Sequence, residues 1–141
     1  MRRLGLPGIA GLFLLLGCAE PGGAPGGAVE PEDPDAAFAP EYLPIETQLL
    51  DEDLVRFTLA MSGARDADDV RAYADCAAAQ YAVIRGFGFA RHVSTQLSDA
   101  GAGAVGAAAL YTISPNLPRG PQTLDAEVTL ANCRELGIPT V

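Results

Sequence analysis

The run from Ala19 to Pro40, AEPGGAPGGAVEPEDPDAAFAP, restricts what this 141-residue chain can fold into more than any other feature. Glycine, proline and acids dominate it, and too few large apolar groups are present to offset the entropy of ordering. Residues 18–40 therefore read as a disordered tether, which leaves 41–141 as a single small domain. At about 3.1 Å per residue, a tether near polyproline geometry reaches on the order of 60–70 Å, and its glycines shorten the average. The acids Glu30, Glu32, Asp33 and Asp35 are spaced by prolines and read as a solvated linker rather than a cation site.

Ahead of the tether, MRRLGLPGIAGLFLLLGCAE has two arginines, an apolar stretch from Leu4 to Leu16, and small residues before a cysteine. This is the layout of an export signal, expected over residues 1–17. A membrane span needs about 20 apolar residues. The present run is shorter and is interrupted by Pro7 and glycines. Leu15-Leu16-Gly17-Cys18 resembles the lipobox of bacterial lipoproteins. The resemblance implies a diacylglycerol thioether on Cys18, cleavage between Gly17 and Cys18, and acylation of the new amino terminus. An ordinary signal peptide with an incidental cysteine is the competing reading. Two or three acyl chains anchor stably where one is marginal. Ala19 and Glu20 lack the aspartate that marks inner-membrane retention in many enterobacterial lipoproteins, so the implied address is the outer membrane, facing the periplasm.

The formal charge of −9 becomes −11 once Arg2 and Arg3 are removed. All nine basic residues are arginine, and none cluster outside that leader pair. Phosphate backbones need a basic face, so nucleic acid is not an expected partner. Attachment to a membrane is expected to rest on lipid alone.

From residue 41 the pattern becomes globular. In LVRFTLAM (54–61), Val55, Phe57, Leu59 and Met61 alternate with Arg56, Thr58 and Ala60, which predicts a strand with one buried side. Asp66, with Asp68 and Asp69 behind it, signals a helix start. Val70, Tyr73, Ala77, Tyr81 and Ile84 form its apolar stripe, and Arg85-Gly86 its end. The aspartates lack the glycine and distal glutamate of a calcium-binding EF-hand. FGFARHVSTQ and VGAAALYTIS predict two further strands. TLDAEVTLAN predicts a third, with Leu124, Ala126, Val128 and Leu130 inward. The expected fold is α+β: one helix packed on a sheet of about four strands, ordered strand-helix-strand-strand-strand, in a two-layer sandwich. The first crossover is expected to be right-handed if its strands are parallel in one sheet.

Part of this stretch is similar to a family of small alphaproteobacterial lipoproteins of unassigned function. The matching residues are Phe57-x-Leu59-x-Met61-x-Gly63, then Val70, Tyr73, Ala77 and Ala78, then Gly86-Phe87-x-Phe89, about 40 residues in all. Ala64 stands where that family would have asparagine. The resemblance implies a location and no reaction.

With Cys18 given to lipid, Cys76 and Cys133 remain as an even pair in an exported chain, which predicts a disulfide. Two buried free thiols are the alternative. The absence of a C-x-x-C spacing argues against redox catalysis.

His92 is the only histidine, so a histidine-rich metal centre is excluded and no cofactor is expected. Alternation puts His92 with Ala90 and Ser94, at a solvated or sheet-edge position. Ser94 or Ser98 with Asp99 could complete a hydrolytic arrangement, but no G-x-S-x-G is present. Gly101, Gly103 and Gly106 spell G-x-G-x-x-G, yet the segment that follows is short and strand-like, so a hairpin tip is expected instead of a nucleotide site.

The expected role is therefore a non-enzymatic, lipid-anchored envelope module that meets a protein partner through the helix-free sheet face or an exposed strand edge. A small-ligand binder or weak hydrolase centred on Arg91, His92 and the loop Asn116–Pro121 is the second expectation.

Overall fold

The structure, a computed structural model, describes residues 38–141. The expected signal peptide, with Gly17, Cys18 and all but the last three residues of the expected tether, lies outside the described residues. Those three already touch the domain. The Arg65 guanidinium stacks over the Phe38 ring at 3.9 Å, and Ala39 and Pro40 lie beside Gly63.

Six strands and two helices follow: β1 (Glu41–Tyr42), β2 (Glu46–Leu49), β3 (Leu54–Ser62), α1 (Ala67–Ile84), β4 (Phe89–Gly101), β5 (Ala104–Ser114), β6 (Thr123–Asp125) and α2 (Ala126–Leu136). All strand pairs are antiparallel, in the order β1-β3-β5-β4-β6, with β2 sharing the outer edge of β3 with β1. Since β3 and β4 both run against β5, they are parallel to each other with β5 between them. The α1 crossover thus spans an interposed strand.

The expected α+β class is observed, with more elements than expected. β1 and β2 carry no apolar alternation, and every residue of β2 is exposed. They exist because β3 offers its backbone groups along that edge. The largest departure is the expected strand over TLDAEVTLAN, which is strand only over Thr123–Asp125 and then becomes α2. The Asp125 carboxylate caps α2 by accepting from Val128 N at 3.1 Å, and Gly137, at φ +68°, ends it. Ala126, Leu130 and Cys133 are its buried residues, spaced for a helix, and Val128, expected inward, is exposed. One helix on about four strands thus gives way to two helices and a sheet of six strands.

Where the pattern was strong, β3 and α1 form as expected. Val55, Phe57, Leu59 and Met61 are buried. The Asp66 carboxylate accepts from the Asp68 and Asp69 amides at 2.9 and 3.3 Å, and α1 starts there. Val70, Tyr73 and Ala77 are buried against the sheet, whereas Ile84, the last residue of the helix, is 61% exposed. Ala74, Ala78 and Ala82 are also buried, and their small side chains let α1 settle close to Ala107 and Ala109 of β5. Phe57 fills the centre, edge-on to Tyr81 and Tyr111 at 5.9 Å each.

α2 lies beside α1 and runs against it. Ala126 N donates to Gly88 O, just past the end of α1, while Cys133 meets Cys76 at the middle of α1. These two cysteines sit at disulfide-bonding distance, with Cα atoms 6.0 Å apart.

Candidate functional site

The helix-free face of the sheet is built by register. Rows across it read Gln48–Arg56–Leu110–Ser94, then Glu46–Thr58–Ala108–Gln96, then Ala60–Gly106–Ser98. Gly106 and Ala108 of the central strand are small, so longer polar side chains on β2, β3 and β4 flank a shallow trough there. Ser98 leans so close over Gly106 that a Cβ there would meet its Oγ at 2.7 Å.

On the outer side of β4, β6 pairs only with Phe89, Ala90 and Arg91, and His92 N adds one hydrogen bond to Gln122 O at 3.1 Å. Among the described residues, β4 from Val93 to Ala100 has no second neighbouring strand. Val93 and Leu97 on this edge are 48% and 49% exposed.

A bulge at Val93 changes which residues share a face. His92 pairs with Tyr111 and Ser94 with Leu110, so Val93 is the extra residue. Ala90 and His92 point to the helix side, as alternation predicts. Beyond the bulge Thr95 and Leu97 take that side and Ser94 moves to the open face, against the expectation that Ser94 accompanies His92. Arg91, opposite Thr112, also faces away from His92 and lies beside Gly120. The two residues of the expected ligand site thus occupy opposite faces of β4, joined to the 115–122 loop at different points.

His92 is held on both ring nitrogens: Nδ1 is 2.7 Å from Gln122 Oε1 and Nε2 is 2.7 Å from Thr95 Oγ1. Its ring meets that of Tyr111 edge-on at 5.2 Å. The Tyr111 hydroxyl donates to Asp75 Oδ1 at 2.6 Å. Burial raises the Asp75 carboxyl above its ordinary value, opposed by the Tyr111 hydrogen bond and by the charges of His92 and Arg71. Burial and the adjacent Asp75 push the Tyr111 phenol far above its usual range. Sequence reasoning missed Asp75, Tyr111, Thr95 and Gln122. A tyrosine on the core side of a strand needs a partner for its hydroxyl, and Asp75, an acid between the buried Ala74 and Cys76 on α1, was the available signal. Among the described residues, no three His, Cys, Asp or Glu side chains are grouped to hold a metal ion.

Gly101, Gly103 and Gly106 lie in the β4–β5 hairpin. Gly101 pairs with Ala104, and Ala102 and Gly103, at φ +52° and +77°, form a two-residue turn. Strand follows, and no helix opens there.

A model of the YNQ4 C-terminal domain matches residues 42–137. The chain belongs to that family. The YNQ4 match runs from β1 to the Gly137 cap, taking in Cys76, Cys133, Arg91, His92 and all of β4, and leaving Gly17 and Cys18 outside. A protein of Paracoccus denitrificans, described as an uncharacterized 26.9 kDa protein in the nqo8 5′ region, is 36% identical over 88 residues. The alignment covers 62% of this chain and 34% of that protein, so the chain spans about a third of the relative's length. No solved structure matches the chain significantly. The YNQ4 relationship brings no assigned reaction.

Proposed function

We propose that the chain is a lipid-anchored cell-envelope lipoprotein, facing the periplasm from the outer membrane, whose YNQ4 domain is a non-enzymatic interaction module. Leu15-Leu16-Gly17-Cys18 supports the address. The juxtaposed Cys76 and Cys133 fit an oxidising compartment. The interaction role is carried by one observation, the open edge of β4 from Val93 to Ala100. Such edges template strand addition, and natural proteins blunt them with bulges, charges or covers. Here register shifts bound the edge, at Val93 and at Ala100, leaving the run between them regular, and Asp99 is the edge's one charged residue. The partner is an extended segment of another envelope protein, added antiparallel to β4, with Ser94, Gln96 and Ser98 read on one face and Thr95 and Leu97 on the other.

A photo-crosslinker placed at Leu97 in cells tests this, with a second at Val128 on α2 as an equally exposed control. The expected product is a single envelope-protein adduct at Leu97, absent at Val128 and lost when Cys18→Ser removes the anchor. Equal adducts at both positions, or an adduct indifferent to Cys18, would refute the reading.

A further inference from the structure

A second cavity owes nothing to β4. It encloses about 330 Å³ where β1, the first turns of α1 and the residues ending α2 converge. Phe38, Tyr42, Ala72, Leu136 and Ile138 give it apolar walls, and Arg65 and Asp69 the polar ones.

Each wall is set by a local rule. Tyr73 donates to Leu43 O at 2.6 Å and meets the Tyr42 ring edge-on at 4.8 Å, which fixes β1 against α1. At the far side the left-handed Gly137 reverses the chain, and Ile138 N donates back to Cys133 O at 2.9 Å, bringing Ile138 against the core. The cap at Asp66 places Asp69 one turn into α1, where Oδ2 accepts from Arg65 N at 2.8 Å and Nε at 3.0 Å, and Oδ1 from Nη2 at 2.6 Å.

The hydrogen-bonding inventory then decides the ligand. Asp69 accepts from Arg65 on both oxygens, twice at Oδ2 and once at Oδ1, and the hydrogen bonds from the guanidinium hold its carboxyl below the ordinary value. Arg65 Nη1 and the Tyr42 hydroxyl have no partner among the described residues. Both residues line the same cavity, where burial first and then the charge of Asp69 raise the Tyr42 phenol while Arg65 lowers it. The cavity therefore offers two unpartnered donors, Arg65 Nη1 and the Tyr42 hydroxyl, above an apolar interior. Its volume falls in the range of ligand clefts, about 300–1,000 Å³. A cavity of about 150 Å³ holds benzene, so this one takes a body of roughly ten carbons.

We propose that this cavity is a binding site for a small amphipathic carboxylate, its alkyl or aromatic body against Phe38, Leu136 and Ile138 and its carboxylate at Arg65 Nη1 and the Tyr42 hydroxyl. Asp69 already neutralises the guanidinium, so hydrogen bonding holds the head group more than net charge does. Affinity is set at a Kd on the order of 10–100 μM.

Calorimetric titration with 4-phenylbutyrate tests the site, using the full chain with Cys18→Ala to remove the acyl acceptor. One-site saturation is expected, at least tenfold weaker for 4-phenylbutanamide and for Leu136→Glu. Leu136 is 71% exposed, so that variant keeps its fold, checked by an unchanged circular dichroism spectrum. Absence of saturation by millimolar ligand overturns the site, as does binding that Leu136→Glu leaves unchanged. Equal affinity for the amide overturns the carboxylate assignment.

Discussion

Asp75 sits where a single charge has the most leverage on stability. Its carboxyl binds protons more tightly folded than unfolded, because burial outweighs the Tyr111 hydroxyl and the nearby His92 and Arg71. The fold is therefore relatively favoured at low pH, and loses that advantage as pH rises from the ordinary value of 3.8 through the raised one. Asp75→Asn keeps an oxygen for Tyr111 and removes the charge. It is expected to be more stable than wild type at pH 7, with the gap closing toward pH 3. Tyr111→Phe strips the carboxylate of its donor and should cost about 1–3 kcal/mol at pH 7. Urea denaturation at the two pH values measures both, and parallel Asp75→Asn and wild-type stabilities would contradict the argument. The core positions of β3 were legible at this scale because every second residue is apolar. The company kept by His92 was not, because one extra backbone residue at Val93 reverses the alternation and leaves no mark in composition.

Among the elements, α2 shows why short segments mislead. Leu124, Ala126, Val128 and Leu130 satisfy a period of two, and Ala126, Leu130 and Cys133 satisfy a period near 3.6 over the same stretch. The Asp125 cap and Gly137 carried the missing information. α2 is a short helix with three buried residues, and a covalent tie to α1 is its strongest restraint. Closing a loop between residues 57 positions apart stabilises by roughly 4 kcal/mol at most in the chain-entropy model. Cys76→Ser with Cys133→Ser should therefore lose about 2–4 kcal/mol and accelerate hydrogen exchange in α2 before α1. Alkylation of both thiols in the exported native protein without reductant would show that the bond is absent.

At the scale of the molecule, the prediction concerns attachment. Cys18→Ala is expected to abolish palmitate labelling and release the protein from the membrane fraction, since an acidic body has no electrostatic hold on anionic lipid. Persistent labelling of that variant would overturn the lipoprotein reading. By itself the sequence determined the features that depend on neighbours along the chain: the buried face of β3, the Asp66 start of α1, a hairpin in the glycine-rich stretch at Gly101–Gly103, and the even cysteine pair. Each follows from steric or capping preferences acting over a few residues. Only the tertiary structure decided that β5 lies between β3 and β4, that two weak segments pair with β3, that TLDAEVTLAN turns helical after Asp125, and that Arg91 and His92 part company. Those outcomes depend on which backbone groups and apolar faces remain unpaired once the rest has assembled, a property of long-range contacts that local pattern does not encode.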